Sequence, residues 1–479
     1  MQLQLPDILI FLIFTLGTVI FGSSFSGKNK TASDFTRAGG NMPGFIVGMS
    51  IFATYVSSIS FLALPGNAFA GNWNSFVFSL SIPLASVVAA RFFVPFYRSI
   101  ESISAYSFLE TRFGYWARAY AAVCYLLTQI ARVGSVLFLL ALPLHTMLGW
   151  SVPFIIIVTS LSVTLYSVLG GIRAVLWTDA IQGILLIAGA ITCVLVLLFS
   201  LPGGPQQFIS VGMEHGKFSL GSFGPELSQS TFWVMLFYGI FINLQNYGID
   251  QNYVQRYKSA RDDKSARFSA LFGGILYLPV SLLFFVIGTL LFVYYQLQPG
   301  LLPADTAADK VFPHFIVAGL PAGVTGLLVA AIFAAGMSTI STSINSSATV
   351  IFTDFFQRGK KQYNNKQQMR ILHLTSFLMG IAGMGIGLAM MSAKSALDAW
   401  WSMAAIFSGG MLGLFLLGYL SKKSRRTHAL AGVICGVVLI AWMSFSGQAI
   451  FHQYLTIVLG TVTIFMVGWI FSLFIREKK

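Results

Sequence analysis

Gly336-Met337-Ser338-Thr339-Ile340-Ser341-Thr342-Ser343-Ile344-Asn345-Ser346-Ser347 lies within a long apolar run, and its reading decides the fold. Ser338, Ser341, Thr342 and Asn345 recur at i, i+3, i+4 and i+7 and so share one helical face. A hydroxyl stripe inside apolar sequence has two readings. It is packing glue between membrane helices, or it offers hard oxygen ligands of the kind that suit alkali and alkaline-earth ions. The ligands are neutral, which favours a monovalent cation, since a divalent one normally demands carboxylates. The density of hydroxyls favours the ion reading.

The composition around this stripe is that of a membrane protein. Of 479 residues, 56% are hydrophobic and 9% charged, against about 25% charged in a soluble domain. Apolar runs of about 20 residues, the length that spans a bilayer, recur along the chain. Thirteen spans are expected, at about 7–25, 42–66, 76–97, 119–147, 152–169, 177–201, 230–248, 269–295, 314–353, 371–391, 397–419, 427–446 and 451–475. The fold class is therefore all-α and polytopic. No loop is long enough for a soluble domain, so 1–479 reads as one transmembrane domain. Met1 to Asp7 carries one acid and no base, so the first run reads as a retained helix rather than a cleaved leader.

The formal charge of +14 reads as orientation rather than nucleic-acid binding. With the N-terminus outside and the spans alternating, 25 of the 29 Lys and Arg fall on the inner side. Lys217, Lys310 and Lys394 fall outside, and Arg132 is left in mid-membrane. This positive-inside bias places the C-terminus in the cytoplasm, with attraction to anionic lipid a minor addition; the expected location is the plasma (inner) membrane. Cys124, Cys193 and Cys435 all fall in apolar spans and form no disulfide framework or zinc spacing. Gly22-Ser-Ser-Phe-Ser-Gly27-Lys28-Asn29 nearly matches a phosphate-binding loop, but it ends in Asn and follows a membrane helix rather than a strand. Gly383/Gly387 and Gly409/Gly413 have the spacing of close helix packing.

Polar groups in hydrocarbon are costly and mark pathways by default. Thr54-Tyr55-Val56-Ser57-Ser58-Ile59-Ser60 sits in the middle of the second span, with Pro65-Gly66 following. Such a stretch lets a helix unwind and expose carbonyls to an ion at the membrane midplane. Asn243-Leu244-Gln245-Asn246-Tyr247-Gly248 is its positional counterpart in the seventh span. Arg132 keeps its charge and presents a fork that fits a carboxylate. It reads as an anchor for an anionic solute, or as a structural group bonded to Asp179 or to carbonyls. Asp179, in Trp177-Thr178-Asp179-Ala180, reads equally as a helix N-terminal acid and as a cation or proton site.

These residues together resemble the sodium/solute symporter family, with its LeuT-type core of two inverted five-helix repeats. The matching pieces are Ser33-Asp34-Phe35 with Ala38-Gly39-Gly40, and Ala53-Thr54-Tyr55-Val56-Ser57-Ser58. Further on come Gly170-Gly171-Ile172-Arg173-Ala174-Val175-Leu176-Trp177-Thr178-Asp179-Ala180-Ile181-Gln182, then Val254-Gln255-Arg256-Tyr257, then the stripe at 338–347. The resemblance covers nearly the whole chain. It implies a first repeat at 42–201 and a second at 230–419. One extra helix at 7–25 precedes them and two at 427–475 follow.

It also implies a site. A sodium ion would take the carbonyls of Ala53, Val56 and Ala335 and the hydroxyls of Ser338 and Thr339. A second would take Asp179, Ser338, Ser341 and Thr342, so one or two coupling ions are expected. Within the family the likeness is to the bacterial sialic acid transporters. There Arg132 would meet the carboxylate, and Ser57, Ser58 and Ser60 would line the pocket. Tyr55, Ser75 and Ser79 depart from the residues found at those positions. Asn243 and Asn246 complete the candidate solute site. No acid lies near Ser75 to Ser79, which argues against a neutral sugar.

The expected function is sodium-coupled import of a small solute, a carboxylate such as sialic acid, by alternating access. A monocarboxylate, an amino acid or a neutral sugar are the alternatives, then a proton-coupled transporter or a channel. A channel wants a ring of like polar residues, whereas these clusters differ from one another. An enzyme needs a nucleophile–base pair or a metal triad, and the spans offer neither. Neither a nucleic-acid partner nor an obligate protein partner is expected.

Overall fold

The computed structural model describes residues 3–303, 305–358, 362–391, 409–446 and 450–474. The regular elements among the described residues are all helical, with no strand, only an isolated bridge between Met42 and Ala260. The helices in the first half are Leu5–Ser23 (α1), Ala32–Arg37 (α2), Gly44–Tyr55 (α3), Ser58–Ala70 (α4), Phe76–Val88 (α5), Val94–Ser99 (α6), Ser107–Phe113 (α7), Tyr115–Leu148 (α8), Val152–Ser200 (α9) and Gly204–Glu214 (α10). The second half holds Phe232–Ile249 (α11), Gln251–Ser259 (α12), Asp263–Leu297 (α13), Ala308–Ala318 (α14), Val324–Val350 (α15) and Asn365–Ala389 (α16). Met411–Leu420 (α17), Arg426–Phe445 (α18) and Leu455–Phe474 (α19) complete the chain. The span expected at 397–419 is helical from Met411 onward, and 397–408 lie outside the described residues. So do the tail bases Arg476, Lys478 and Lys479.

Among the described residues nine helices are long and apolar enough to cross a bilayer, or ten if Gly44–Tyr55 and Ser60–Ala70, bent by 53°, form one span. Their lipid side is dressed with apolar residues such as Ile13, Ile20, Phe199, Val438 and Phe474, all well exposed. A backbone bonded inside its own helix is what permits this in hydrocarbon. α9 runs for 49 residues. At 1.5 Å per residue that is about 73 Å, far more than a hydrocarbon core of about 30 Å. Gly171 divides it, with φ 55° and ψ −159°, a conformation open only to glycine. The division falls between the spans expected at 152–169 and 177–201.

Two expectations need correction. The run 314–353 is not one span: α14 ends at Ala318, Pro321 and Gly323 (φ 86°) turn the chain, and α15 starts afresh. The segment after 248 is not all loop. The helix breaks at Asp250 (φ −75°, ψ 126°) and resumes as α12, every residue of which is buried.

α15 is the central element, and every residue from Leu328 to Val350 is buried. The GxxxG glycines pack closely. A Cβ on Gly387 would lie 3.2 Å from the Gly134 carbonyl of α8, and one on Gly413 would lie 2.5 Å from the Thr461 carbonyl of α19. Long-range caps fix the helix ends. Asp7, buried on α1, accepts from the N–H groups of Gly323 (2.7 Å) and Gly326 (2.8 Å) at the start of α15. Lys217 donates to the carbonyls of Phe69 (2.6 Å) and Gly71 (3.0 Å) at the end of α4. Near α7, Arg118 bonds Glu110 and Asp354, and Arg358 bonds Glu110. Burial pushes the Glu110 carboxyl up, but these guanidinium bonds outweigh it and hold it below its usual value.

Candidate functional site

Two helix breaks define the site. In the first, α3 ends at Tyr55, Val56 (φ −82°, ψ 113°) and Ser57 (φ −102°, ψ 165°) are extended, and α4 begins at Ser58. Ser57 caps the new helix, its Oγ accepting from the Ser60 N–H at 3.2 Å. An interrupted helix strands the last carbonyls of its first half without their usual donors. The second break, at Asp250, follows the Asn243–Gly248 cluster.

The residues assigned to a first sodium are all buried: Ala53, Val56, Ala335, Ser338 and Thr339. α3 packs against α15, which brings the two sets onto facing elements. Thr339 Oγ1 donates to the Ala335 carbonyl at 3.1 Å. Ser338 Oγ is buried without a hydrogen-bond partner. A buried hydroxyl left unsatisfied costs about 1–3 kcal/mol, so this oxygen fits a cation's coordination shell.

The residues assigned to a second sodium hold a guanidinium. Arg256 is fully buried and distributes its N–H groups over four elements. Nε donates to Ser50 Oγ (2.8 Å, α3), Nη1 to the Asn252 carbonyl (2.7 Å, α12), and Nη2 to Asp179 Oδ2 (2.8 Å, α9) and Thr342 Oγ1 (2.7 Å, α15). Ser50 Oγ in turn donates to Asp179 Oδ2 at 2.6 Å. The partner of Asp179 is therefore Arg256, not Arg132. Asp179 Oδ1 remains buried and unpartnered, and Ser338 is close to the same carboxylate. Ser341 Oγ donates to the Ser338 carbonyl at 3.1 Å.

Arg132 is half-buried and donates from Nη2 to the Thr54 carbonyl at 3.4 Å, beside the first break. Among the described residues no carboxylate forms an ion pair with it. Asp250, at the second break, lies within its electrostatic reach. Tyr55 packs on Tyr277, Tyr247 and Tyr253, with ring centroids 4.8, 6.1 and 6.2 Å away. Asn246 Nδ2 donates to the Tyr55 hydroxyl at 3.4 Å. The structure thus brings Tyr55 and Asn246 together, and Arg132 to the first break.

Other assigned residues look elsewhere. Asn243 Nδ2 donates to Ser81 Oγ at 2.7 Å and leaves its Oδ1 unpartnered. Ser79 pairs with Ser281 at 2.7 Å, and Ser57 with Ser60 at 3.2 Å. Ser75 is the residue before α5 and is half-buried. The side chain of Ser58 lies outside the described residues.

Sequence reasoning quoted Arg256 in a family match without giving it a role and passed over Asp250, because both sit where hydropathy ends a span. A pattern was there to find: Asn252, Gln255 and Arg256 recur at i, i+3 and i+4. Gln255 Nε2 donates to the Thr36 carbonyl (2.6 Å), Asn345 Oδ1 (2.8 Å) and Thr349 Oγ1 (3.1 Å), tying α12 to the stripe. The Tyr125 hydroxyl lies 3.0 Å from Asn252 Oδ1 and 2.7 Å from Ser346 Oγ, closing the network onto α8.

The sequence profile of the sodium:solute symporter family matches residues 35–436. The sodium/sialic acid symporter SiaT of Proteus mirabilis is 32% identical over 94% of this chain and 92% of its own length. NanT of Aliivibrio fischeri, also a sodium/sialic acid symporter, is 31% identical over 95% and 90%. A Na+-coupled sialic acid symporter solved in a substrate-bound outward-open state superposes over 99% of both chains, with TM-score 0.94 and 30% identity. Mhp1, a nucleobase-cation-symport-1 family transporter, shares the fold at TM-score 0.57 and 16% identity. A LeuT-type helical bundle that is broken at two helices, and whose sequence matches along nearly its whole length, is a multi-pass membrane transporter and not an enzyme: this chain belongs to the sodium:solute symporter family.

Proposed function

We propose that this chain imports sialic acid, a carboxylated sugar, together with sodium. The observation that carries the reading is Arg132. It is a half-buried guanidinium to which no carboxylate among the described residues is paired, held beside the first helix break in a chain 31–32% identical to two sodium/sialic acid symporters. Its fork takes the solute carboxylate. Tyr55 and Asn246, which meet beside the first break, supply the nearest wall.

Sodium is cargo in this reading. One ion takes the carbonyls of Ala53, Val56 and Ala335 with Ser338 Oγ and Thr339 Oγ1. It stiffens the break and so lowers the cost of ordering Arg132's surroundings for the solute. The coupling is reciprocal. A second ion takes Asp179 Oδ1, Ser338, Ser341 and Thr342, where two buried oxygens lack donors. Two sodium ions with one monoanion move net positive charge. An inside-negative potential adds about 2.3 kcal/mol per charge per 100 mV.

Arg256 sets the cytoplasmic closure. It joins α3 and α12, the two elements next to the breaks, to α9 and α15. Rocking of the broken helices away from α9 and α15 requires its bonds to Asp179 and Thr342 to part. The N-terminus lies outside and the C-terminus in the cytoplasm, in a thirteen-span arrangement in the plasma membrane.

The test is uptake of labelled sialic acid into proteoliposomes under an inward sodium gradient, with choline as control. Uptake that is equal in sodium and choline sinks the coupling. Sodium binding without sialic acid uptake sinks the solute. A second reading, an amino acid, is favoured by Asp250 near Arg132, because an acid beside a guanidinium suits a zwitterion. Competition by amino acids in the same assay decides between them.

A further inference from the structure

A cavity of about 410 Å³ opens away from the transport site, between the end of α2, the end of α6 and the end of α12. Arg37, Arg98 and Lys258 converge on it from those three elements, and Gly39 and Gly40 line it between α2 and α3. We propose that this cavity binds a phosphate or phosphoryl anion, either a free phosphate or the headgroup of an anionic phospholipid.

The charges are unbalanced. Glu101 is the acid that lines the cavity, and it is exposed. Asp263 bonds Arg98 from outside the lining and is itself largely exposed. Arg98 Nη1 is fixed by the carbonyls of Tyr257 (2.9 Å) and Ala260 (3.0 Å), so its position is set before any ligand arrives. Lys258 is only 8% exposed. Its one hydrogen bond among the described residues runs to the Ile100 carbonyl, a neutral group. Burial, with Arg37 and Arg98 beside it, pushes the Lys258 amine down to about 8. A buried ammonium facing two guanidinium groups is destabilising until an anion joins it.

The backbone leaves room. Gly39 (φ 68°) and Gly40 (φ 69°) run in the left-handed region and place no side chain over the opening. Arg173 holds this turn by donating to the Ala38 carbonyl at 3.1 Å. A phosphoryl oxygen accepts charge-assisted bonds from Arg and Lys more strongly than a neutral acceptor does. The volume exceeds what a bare phosphate needs, which admits a phosphoryl group carrying an organic arm. Beside the cavity, the Met42 N–H donates to the Ser259 carbonyl (2.9 Å) and the Arg261 N–H to the Met42 carbonyl (3.1 Å). A bound anion thus clamps the start of the first broken helix to the end of the second.

The experiment is thermal unfolding of the full-length protein in two arms. One titrates inorganic phosphate against chloride at constant ionic strength in detergent. The other compares nanodiscs of phosphatidylcholine with and without phosphatidylglycerol. Arg37→Gln, at an exposed helix end, and Lys258→Gln are set against Arg91→Gln, which makes the same charge change outside the cavity. Stabilisation by phosphate that weakens about tenfold in Arg37→Gln and Lys258→Gln but not in Arg91→Gln supports a free anion. Stabilisation by phosphatidylglycerol alone, lost in the same two variants, supports a headgroup. Equal responses in Arg37→Gln and Arg91→Gln, or no response in either arm, overturns the site.

Discussion

Arg256 Nη2 meets Asp179 Oδ2 at 2.8 Å with both side chains fully buried, across 77 residues of chain. Removing one member of such a pair leaves the other charge uncompensated, at about 3–5 kcal/mol. Asp179→Asn and Arg256→Met should each lower stability by that amount in thermal unfolding of the purified protein. The double variant should recover much of the loss, because no lone charge remains. If the two losses simply add, the pair is not the unit described here.

Arg132→Ala should abolish sialic acid binding while sodium binding in the absence of solute survives. Truncating one partner of a buried charge pair costs about 2–5 kcal/mol, at least about thirtyfold in Kd. Calorimetry with each ligand separately reads both quantities. Carboxylate affinity that is retained in the variant would remove Arg132 from the site.

Asp7→Ala should destabilise the protein by about 1–2 kcal/mol, since it strips the cap from the Gly323 and Gly326 N–H groups. Asp7→Asn keeps an acceptor and should recover most of that. Denaturant melts of the three proteins in one detergent make the comparison.

Gly171→Ala should cost about 1–3 kcal/mol from backbone strain alone. The new Cβ would also sit 2.9 Å from the Phe35 ring and 3.0 Å from the Phe35 carbonyl. Folded yield and melting temperature should both fall, whereas Gly17→Ala, inside α1 where nothing lies within 4 Å, should lower neither.

Anion binding at the Arg37–Arg98–Lys258 cavity should weaken as pH rises through about 8 and above, where Lys258 loses its proton. The groups facing Lys258 are Arg37 from α2, Arg98 from α6, Glu101 beyond α6 and Asp263 through Arg98. Phosphate does not lose charge over this range. Stability without anion runs the other way. The unfolded lysine holds its proton up to about 10.5 and the folded one only to about 8. The unfolded state therefore binds more protons in that window, and stability rises from pH 8 to 10.5. Lys258→Gln should flatten both trends in pH-dependent melts.

Hydropathy is a local property, and so the sequence by itself determined that this chain crosses a membrane many times. It also determined where the first helix breaks: Thr54 to Ser60 carries hydroxyls at midplane depth, and the chain is extended at Val56 and Ser57. Gly170-Gly171 divided one 49-residue helical run for the same local reason, a backbone conformation that only glycine reaches. The stripe at Ser338 to Asn345 was legible because its period is the period of a helix. The partners of these groups were not legible. Arg256 lies in a stretch whose bases read as loop charges, yet α12 is buried and its guanidinium fills the space between Ser50, Asp179 and Thr342. Arg132 and Asp179, each open to a partner in the sequence, are separated because packing hands Asp179 to Arg256 and leaves Arg132 at the Thr54 carbonyl. Tertiary structure decided those pairings because a buried charge takes whichever counter-group the packed helices bring within bonding distance, and that distance is not a function of separation along the chain.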